Sequence, residues 1–209
     1  MTRFVVPMHQ NMRSPLSQPP GLSSRFHSVA TDDLNDLRAL RAGFLATSTV
    51  SMPMAGILFW ICALVASRFL NPHQLAYFVG FGSGAVFPIG LLIDRLRGRK
   101  VTTDAKSPIT IMFLQSLSAV AMLWPLLIIA GTVAPSIVVL GGAILMGIVW
   151  IPYGWAADDP VGIRHAIART VGCYAVFIFA PIEWRLTAVC IVPLLCYGYS
   201  LIFMKRPTQ

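Results

Sequence analysis

The sequence predicts an all-α polytopic membrane protein, six transmembrane helices joined as antiparallel hairpins. Three observations predict it. Of 209 residues, 56% are hydrophobic and 11% charged, whereas a soluble domain is roughly a quarter charged. The mean hydropathy is +0.71. The apolar residues also fall in six continuous runs, each near the ~20 residues that cross a bilayer. The runs do not alternate polar with apolar, which excludes a barrel. Backbone groups in lipid must be satisfied within the segment, so each run is a helix.

In chain order, residues 1–30 differ from the rest, with four prolines, five serines, three arginines and no acid. This composition predicts a disordered basic leader. Two other readings stay open: an organelle transit peptide, against which the prolines argue, and a wrongly assigned start. Residues 31–43 predict a short amphipathic helix on the membrane surface. Thr31 is its N-cap candidate, acids fill its first turn, and Leu34, Leu37 and Leu40 recur at helical spacing. The transmembrane domain is read over 44–204. Its six spans are expected at Phe44–Ala66, His73–Ile93, Ile109–Ala130, Val133–Tyr153, Ala166–Ala180 and Leu186–Met204. A short tail, 205–209, follows.

Charge sets the expected orientation. With the N-terminus inside, the inner segments hold Arg3, Arg13, Arg25, Arg38, Arg41, Arg95, Arg97, Arg99, Lys100, Lys106, Arg164, Arg169, Lys205 and Arg206, and the outer loops hold Arg68 and Arg185. Cytoplasmic segments carry the excess of Lys and Arg. Both termini are therefore expected in the cytoplasm, in the inner (plasma) membrane, or in an organelle inner membrane if the leader is a transit peptide. The basic residues lie in short clusters between spans and form no nucleic-acid-binding patch. The lipid bilayer is the expected partner, with a homo-oligomer or a membrane partner as further possibilities.

Candidate chemistry is sparse. Cys62, Cys173, Cys190 and Cys196 all lie in apolar runs with no CxxC spacing, so no disulfide framework, metal site or cofactor is expected and the thiols read as small hydrophobes. No mid-span Asp, Glu or Lys is available for an ion relay, and no hydrolase or nucleotide-binding motif is present. An enzyme is therefore not expected. Gln115, the only amide well inside a span, is expected to bond a neighbouring helix. Gly80 and Gly84 predict close helix packing. Arg169 is expected to snorkel to the inner surface. Glu183 and Arg185 flank a tight outer turn, where they could pair or bind a solute.

The ends of the second and fourth runs read alike, FPIGLLID and IPYGWAAD. Pro88, Gly90 and Asp94 match Pro152, Gly154 and Asp158 at a constant offset, with a looser echo at Pro193, Tyr197 and Gly198. This hints at repeated hairpins with broken inner ends, an arrangement from which transporters build sites. Trp150, Tyr153 and Trp155 also suit a plain interfacial belt, and Trp60, Trp124 and Trp184 fall near predicted span ends. In that belt reading Asp158 and Asp159 are simply solvated.

From about Asp36 onward the chain resembles an uncharacterised family of small, mostly bacterial, six-span membrane proteins. The motif that carries the resemblance is IPYGW, Ile151 to Trp155, at the end of the fourth run. The resemblance implies a six-helix fold and no known activity. The family often has a histidine three residues before the motif's proline. Here that position is Val149, which removes imidazole chemistry at that point.

These residues point first to small-molecule binding or transport at the inner ends of spans two and four. Trp150, Tyr153 and Trp155 would contact the solute, and Pro88 and Pro152 would shape the broken helices. The alternative is a non-catalytic scaffold or accessory subunit packing through small-residue faces. An enzyme acting on lipid is a third reading.

Overall fold

A computed structural model describes residues 22–47, 50–98 and 107–206. The chain divides into two compact units, Met1–Leu37 and Arg38–Gln209. The described elements are helical throughout. Helix α1 covers Leu22–Thr47, so Thr31, expected as an N-cap, lies within it. Residues 1–21 of the expected leader, the basic residues Arg99, Lys100 and Lys106, and the end of the tail from residue 207 fall outside the described residues.

In the second unit, α2 (Ser51–Ala66) opens with Pro53 in its first turn, where the missing N–H costs nothing. Helix α3 (Pro72–Gly82) starts at a capping box: the Asn71 side chain accepts from Gln74 N, the Gln74 side chain accepts from Asn71 N, and Pro72 takes the first helical position. A 3₁₀ turn, Ser83–Ala85, leads into α4 (Val86–Leu96). Helices α5 (Pro108–Ala121) and α6 (Trp124–Val133) together make one long apolar segment with a break ahead of Pro125. Helix α7 (Pro135–Ile148) and α8 (Trp150–Ala156) make another, broken ahead of Pro152. Helices α9 (Val161–Phe179) and α10 (Arg185–Phe203) complete the unit.

Five continuous segments are long and apolar enough to cross a membrane: Pro72–Leu96, Pro108–Val133, Pro135–Ala156, Val161–Phe179 and Arg185–Phe203. A sixth is reached if the bent pair Asp33–Ala46 and Ser51–Ala66 counts as one. Large apolar side chains such as Phe69, Phe81, Leu96, Ile129 and Leu195 lie on the outside, a surface that suits lipid and not water.

Several boundaries differ from expectation. The segment expected from Ala166 begins at Val161. Gly131 and Thr132 do not form the third connection; they continue α6, and the turn is the single residue Ala134, at φ −139 and ψ 87. The cause is Pro135, whose ring drives the preceding residue out of the helical region.

The core lies between α2, α3, α7, α9 and α10, around Trp60, Val79, Val139, Ala143, Cys173, Val189 and Tyr197. Lipid supplies no hydrophobic force between helices, so close packing must hold them. The glycines that do this are not the expected pair. A Cβ at Gly80 would touch only Val138, and one at Gly84 would meet nothing within 4 Å. The tight approach is between Gly154 of α8 and Gly162 of α9, where a Cβ on Gly154 would lie 2.9 Å from the Gly162 Cα. Among the described residues Gln115 bonds no neighbouring helix; it is exposed on α5 beside Ile111, Leu114 and Ser118. Cys62 is exposed, whereas Cys173, Cys190 and Cys196 are buried, and all four are free.

The two ends of the second unit carry different polar contacts. At one end the Arg68 guanidinium lies 4.1 Å from the Trp184 ring centroid, and Ser67 Oγ donates to Thr187 Oγ1 at 3.0 Å. Arg185 lies over the Phe177 ring at 5.3 Å and makes no ion pair with Glu183. At the other end Asp158 pairs with Arg41 at 3.0 Å and with Lys205 at 3.5 Å. Asp159 is not solvated as expected. It is buried, accepts Val161 N at 3.0 Å and Lys205 N at 2.7 Å, and so ties the start of α9 to the end of α10.

Candidate functional site: a buried arginine in an aromatic cage

The polar centre of the second unit is Arg169, the ninth residue of the 19-residue helix α9. It does not snorkel. Its relative exposure is 0%, so the surface-seeking role expected of it is corrected. Arg169 Nε donates to the backbone oxygen of Ala143 at 2.6 Å. That carbonyl belongs to α7 and has a second lone pair beyond its helical bond. Gly147, one turn further along α7, leaves the approach open, since a Cβ there would stand 2.7 Å from Arg169 Cδ.

Two rings flank the guanidinium. The Trp60 and Tyr197 ring centroids each lie 5.2 Å from Arg169 Cζ, within the ~6 Å reach of a cation–π contact. Trp60 is fully buried and is therefore no belt residue. Trp124, also expected near a span end, sits at the α5–α6 break, and its ring is 3.1 Å from where a Gly142 Cβ would stand.

Beside the arginine, one helical turn earlier, is His165. Spacing of four on one helix puts the two side chains on the same face. Arg169 Nη1 lies 3.5 Å from His165 Nε2, and His165 Nδ1 lies 2.7 Å from Ser200 Oγ. A guanidinium only donates. His165 Nε2 is therefore the acceptor of this long bond, and Nδ1–H donates to Ser200. The imidazole stacks on Trp150 at 4.2 Å and meets the Tyr197 edge at 5.1 Å. An imidazole thus stands beside the IPYGW segment although position 149 is valine; it comes from α9.

Two buried donors in this cluster have no hydrogen-bond partner, Arg169 Nη2 and Trp60 Nε1. Among the described residues no group of three or more His, Cys, Asp or Glu side chains is arranged to hold a metal ion.

The structure distributes the five residues singled out from the sequence. Trp150 is buried at the cluster, against His165 and Tyr197. Tyr153 stands one layer out, its ring 5.4 Å from Trp150 and 6.2 Å from Phe44. Trp155 is 44% exposed and lies under Arg41 at 4.8 Å, in the rim with Asp158. Pro152 is half-buried in α8, and Pro88 is on the exposed face of α4. The cluster is built from α2, α7, α8, α9 and α10; the end of the fourth run contributes Trp150 of α8, and the end of the second run, α4, contributes none of its residues. His165, Arg169, Trp60, Tyr197 and Ser200 were missed. The signal available was the His–Arg pair at i and i+4 in the first half of a helix whose second half is apolar.

A family model described as "Family of unknown function (DUF7010)" matches residues 40–206, most of the chain and the whole of this cluster. No curated protein matches the chain, and no solved structure does.

Proposed function

The chain belongs to this family of unknown function, DUF7010, and we propose that it is an integral membrane protein that binds a small solute and carries it across the bilayer. Arg169 carries the reading. An arginine at the centre of a bilayer costs about 2.5–3.5 kcal/mol even by the mildest scales, and such residues mark solute pathways. This one is fully buried and keeps a donor unused. The reading centres the site on the Arg169 cluster, keeping Trp150 and Tyr153 at the end of run four and leaving out the end of run two. It assigns the protein no catalysis and no cofactor.

In this reading both termini face the cytoplasm of a cell whose inner membrane holds the protein. Removing Arg169 from the topology count leaves 13 basic residues on the inner segments against Arg68 and Arg185 outside. The meeting of Arg68 with Trp184 at one end, and of Arg41 and Lys205 at Asp158 at the other, supports it. A reporter enzyme fused after Lys100 is expected to be active only on the cytoplasmic side. Activity only outside the cell overturns the orientation.

A second reading, assembly with a further copy of this chain, is favoured by Gln115. An exposed mid-span amide lacks partners in lipid, and the same amide of another copy can both donate and accept. Native mass spectrometry of protein released gently from its own membrane separates the two. The solute reading expects a discrete non-lipid adduct, lost in Arg169→Met. Dimers without an adduct, abolished by Gln115→Leu, favour assembly and overturn the solute reading.

A further inference from the structure

We propose that the Arg169 cluster takes a small monoanion, bound by Arg169 Nη2 and the Trp60 indole N–H. The inference rests on the solute-site reading above and names its ligand class. Arg169 Nη2 and Trp60 Nε1, the two atoms beside the guanidinium without a partner, are donors, and both belong to side chains that accept nothing. A ligand satisfying them must therefore accept from both. They sit on touching side chains, since Arg169 Cζ is 5.2 Å from the Trp60 ring centroid.

Charge narrows the class. Among the described residues no carboxylate reaches Arg169. Asp94 accepts from Ser51 Oγ at 2.5 Å, Asp158 takes Arg41 and Lys205, and Asp159 takes the backbone of Val161 and Lys205. Asp33, Asp36 and Glu183 are exposed. His165 presents a lone pair to the guanidinium and brings no negative charge. Among the described residues this buried positive charge thus lacks a counterion, and an uncompensated charge in a low-dielectric interior is costly. A singly charged acceptor neutralises it, a dianion overshoots, and a cation repels. Size narrows it further, because two aromatic walls and the α7 backbone at Gly147 enclose the guanidinium. Formate and acetate are the smallest carboxylates and therefore the first probes of this class. The same head group could also arrive on a fatty acid from the bilayer.

The test uses the full chain in detergent and follows its thermal unfolding midpoint. Sodium formate, sodium acetate, oleate, glycerol and tetramethylammonium sulfate are titrated separately, with sodium sulfate holding ionic strength constant. Formate or acetate is expected to raise the midpoint saturably. Trp60→Phe keeps an aromatic face, on a smaller ring, and removes the donor, and is expected to raise the half-saturating concentration ~10-fold. Arg169→Gln is expected to abolish the response. A response to oleate alone, equally sensitive to Trp60→Phe, assigns the same carboxylate to a lipid source. If glycerol or tetramethylammonium gives the saturable, Trp60-dependent response instead, the monoanion assignment falls and the solute site survives. A formate response unchanged in Trp60→Phe also overturns the assignment. No saturable response to any probe overturns both.

Discussion

Gly162→Ala is expected to lower the stability of the folded protein by about 2–4 kcal/mol, within the range of overpacking and backbone-displacing substitutions. The new Cβ would lie 2.5 Å from the Gly154 Cα and 2.7 Å from the Gly154 nitrogen. Both are backbone atoms, so no rotamer change relieves the clash and α8 must move away from α9. It cannot do so freely, because Gly154 O accepts Asp159 N at 2.7 Å, and the buried Asp159 carboxylate holds Val161 and Lys205. The stack of Trp150 on His165, at 4.2 Å, bridges the same two helices next to the clash. The loss should therefore appear both as a lower unfolding midpoint in detergent and as altered tryptophan fluorescence. Gly198→Ala is the matched control. Gly198 is helical, and its Cβ would meet nothing within 4 Å. It should gain about 0.5–1 kcal/mol from the better helix former. A Gly162→Ala protein as stable as Gly198→Ala would show that α8 and α9 do not depend on this approach.

The helices were legible because run length and continuity reflect the bilayer directly, and their ends were legible where a cap was written out, as at Asn71–Pro72–Gln74. The fifth helix was misjudged for a physical reason. Arg164, His165 and Arg169 depress the hydropathy of its first half, so its start appeared five residues late, at Ala166 instead of Val161. Two of the residues that hid the helix, His165 and Arg169, are the centre of the candidate site. A sequence shows that His165 and Arg169 share a face. It does not show that Ala143 O, Ser200 and Trp60 face them, because those partners come from three other helices.

The echo between FPIGLLID and IPYGWAAD was half-legible in the same sense. Pro88 and Pro152 are each the third residue of the helix that follows a break, α4 and α8, as local proline chemistry requires. Their neighbours differ. Gly90 approaches the Met52 side chain, whereas Gly154 approaches the Gly162 backbone. Asp94 is buried against Ser51, whereas Asp158 is exposed and it is Asp159 that is buried. The pattern described the break and not the packing around it. The stretch Trp150–Trp155 likewise divides, Trp150 and Tyr153 turning toward His165 and Phe44 while Trp155 joins Arg41 at the rim.

Arg169→Met is expected to fold and to remain within about 1 kcal/mol of the parent, or above it, while losing solute binding. Four contacts are lost, among them the 3.5 Å bond from Nη1 to His165 Nε2. The charged bond to Ala143 O, 2.6 Å long, is worth about 1.5–3 kcal/mol. The cation–π contacts with Trp60 and Tyr197 are worth ~0.5–2 kcal/mol each. Against them stands the relief of a buried charge, at least about 2.5–3.5 kcal/mol at mid-bilayer, and of the unsatisfied Nη2. Methionine fills a similar volume and adapts to irregular space. Ala143 O keeps its intrahelical partner, and the buried acceptor left without its donor is His165 Nε2, whose bond from Arg169 was long at 3.5 Å. Replacing buried ionic groups with apolar ones of like volume is often neutral or stabilising. Arg169→Ala differs, because it adds a cavity and should cost about 2–5 kcal/mol. Unfolding midpoints of the two variants, read beside their adducts in native mass spectra, separate the two roles of the arginine. A stable Arg169→Met without adduct identifies a charge kept for its ligand. An Arg169→Met as damaged as Arg169→Ala identifies an arginine that holds α7 against α9, and the solute reading then loses the observation that carries it.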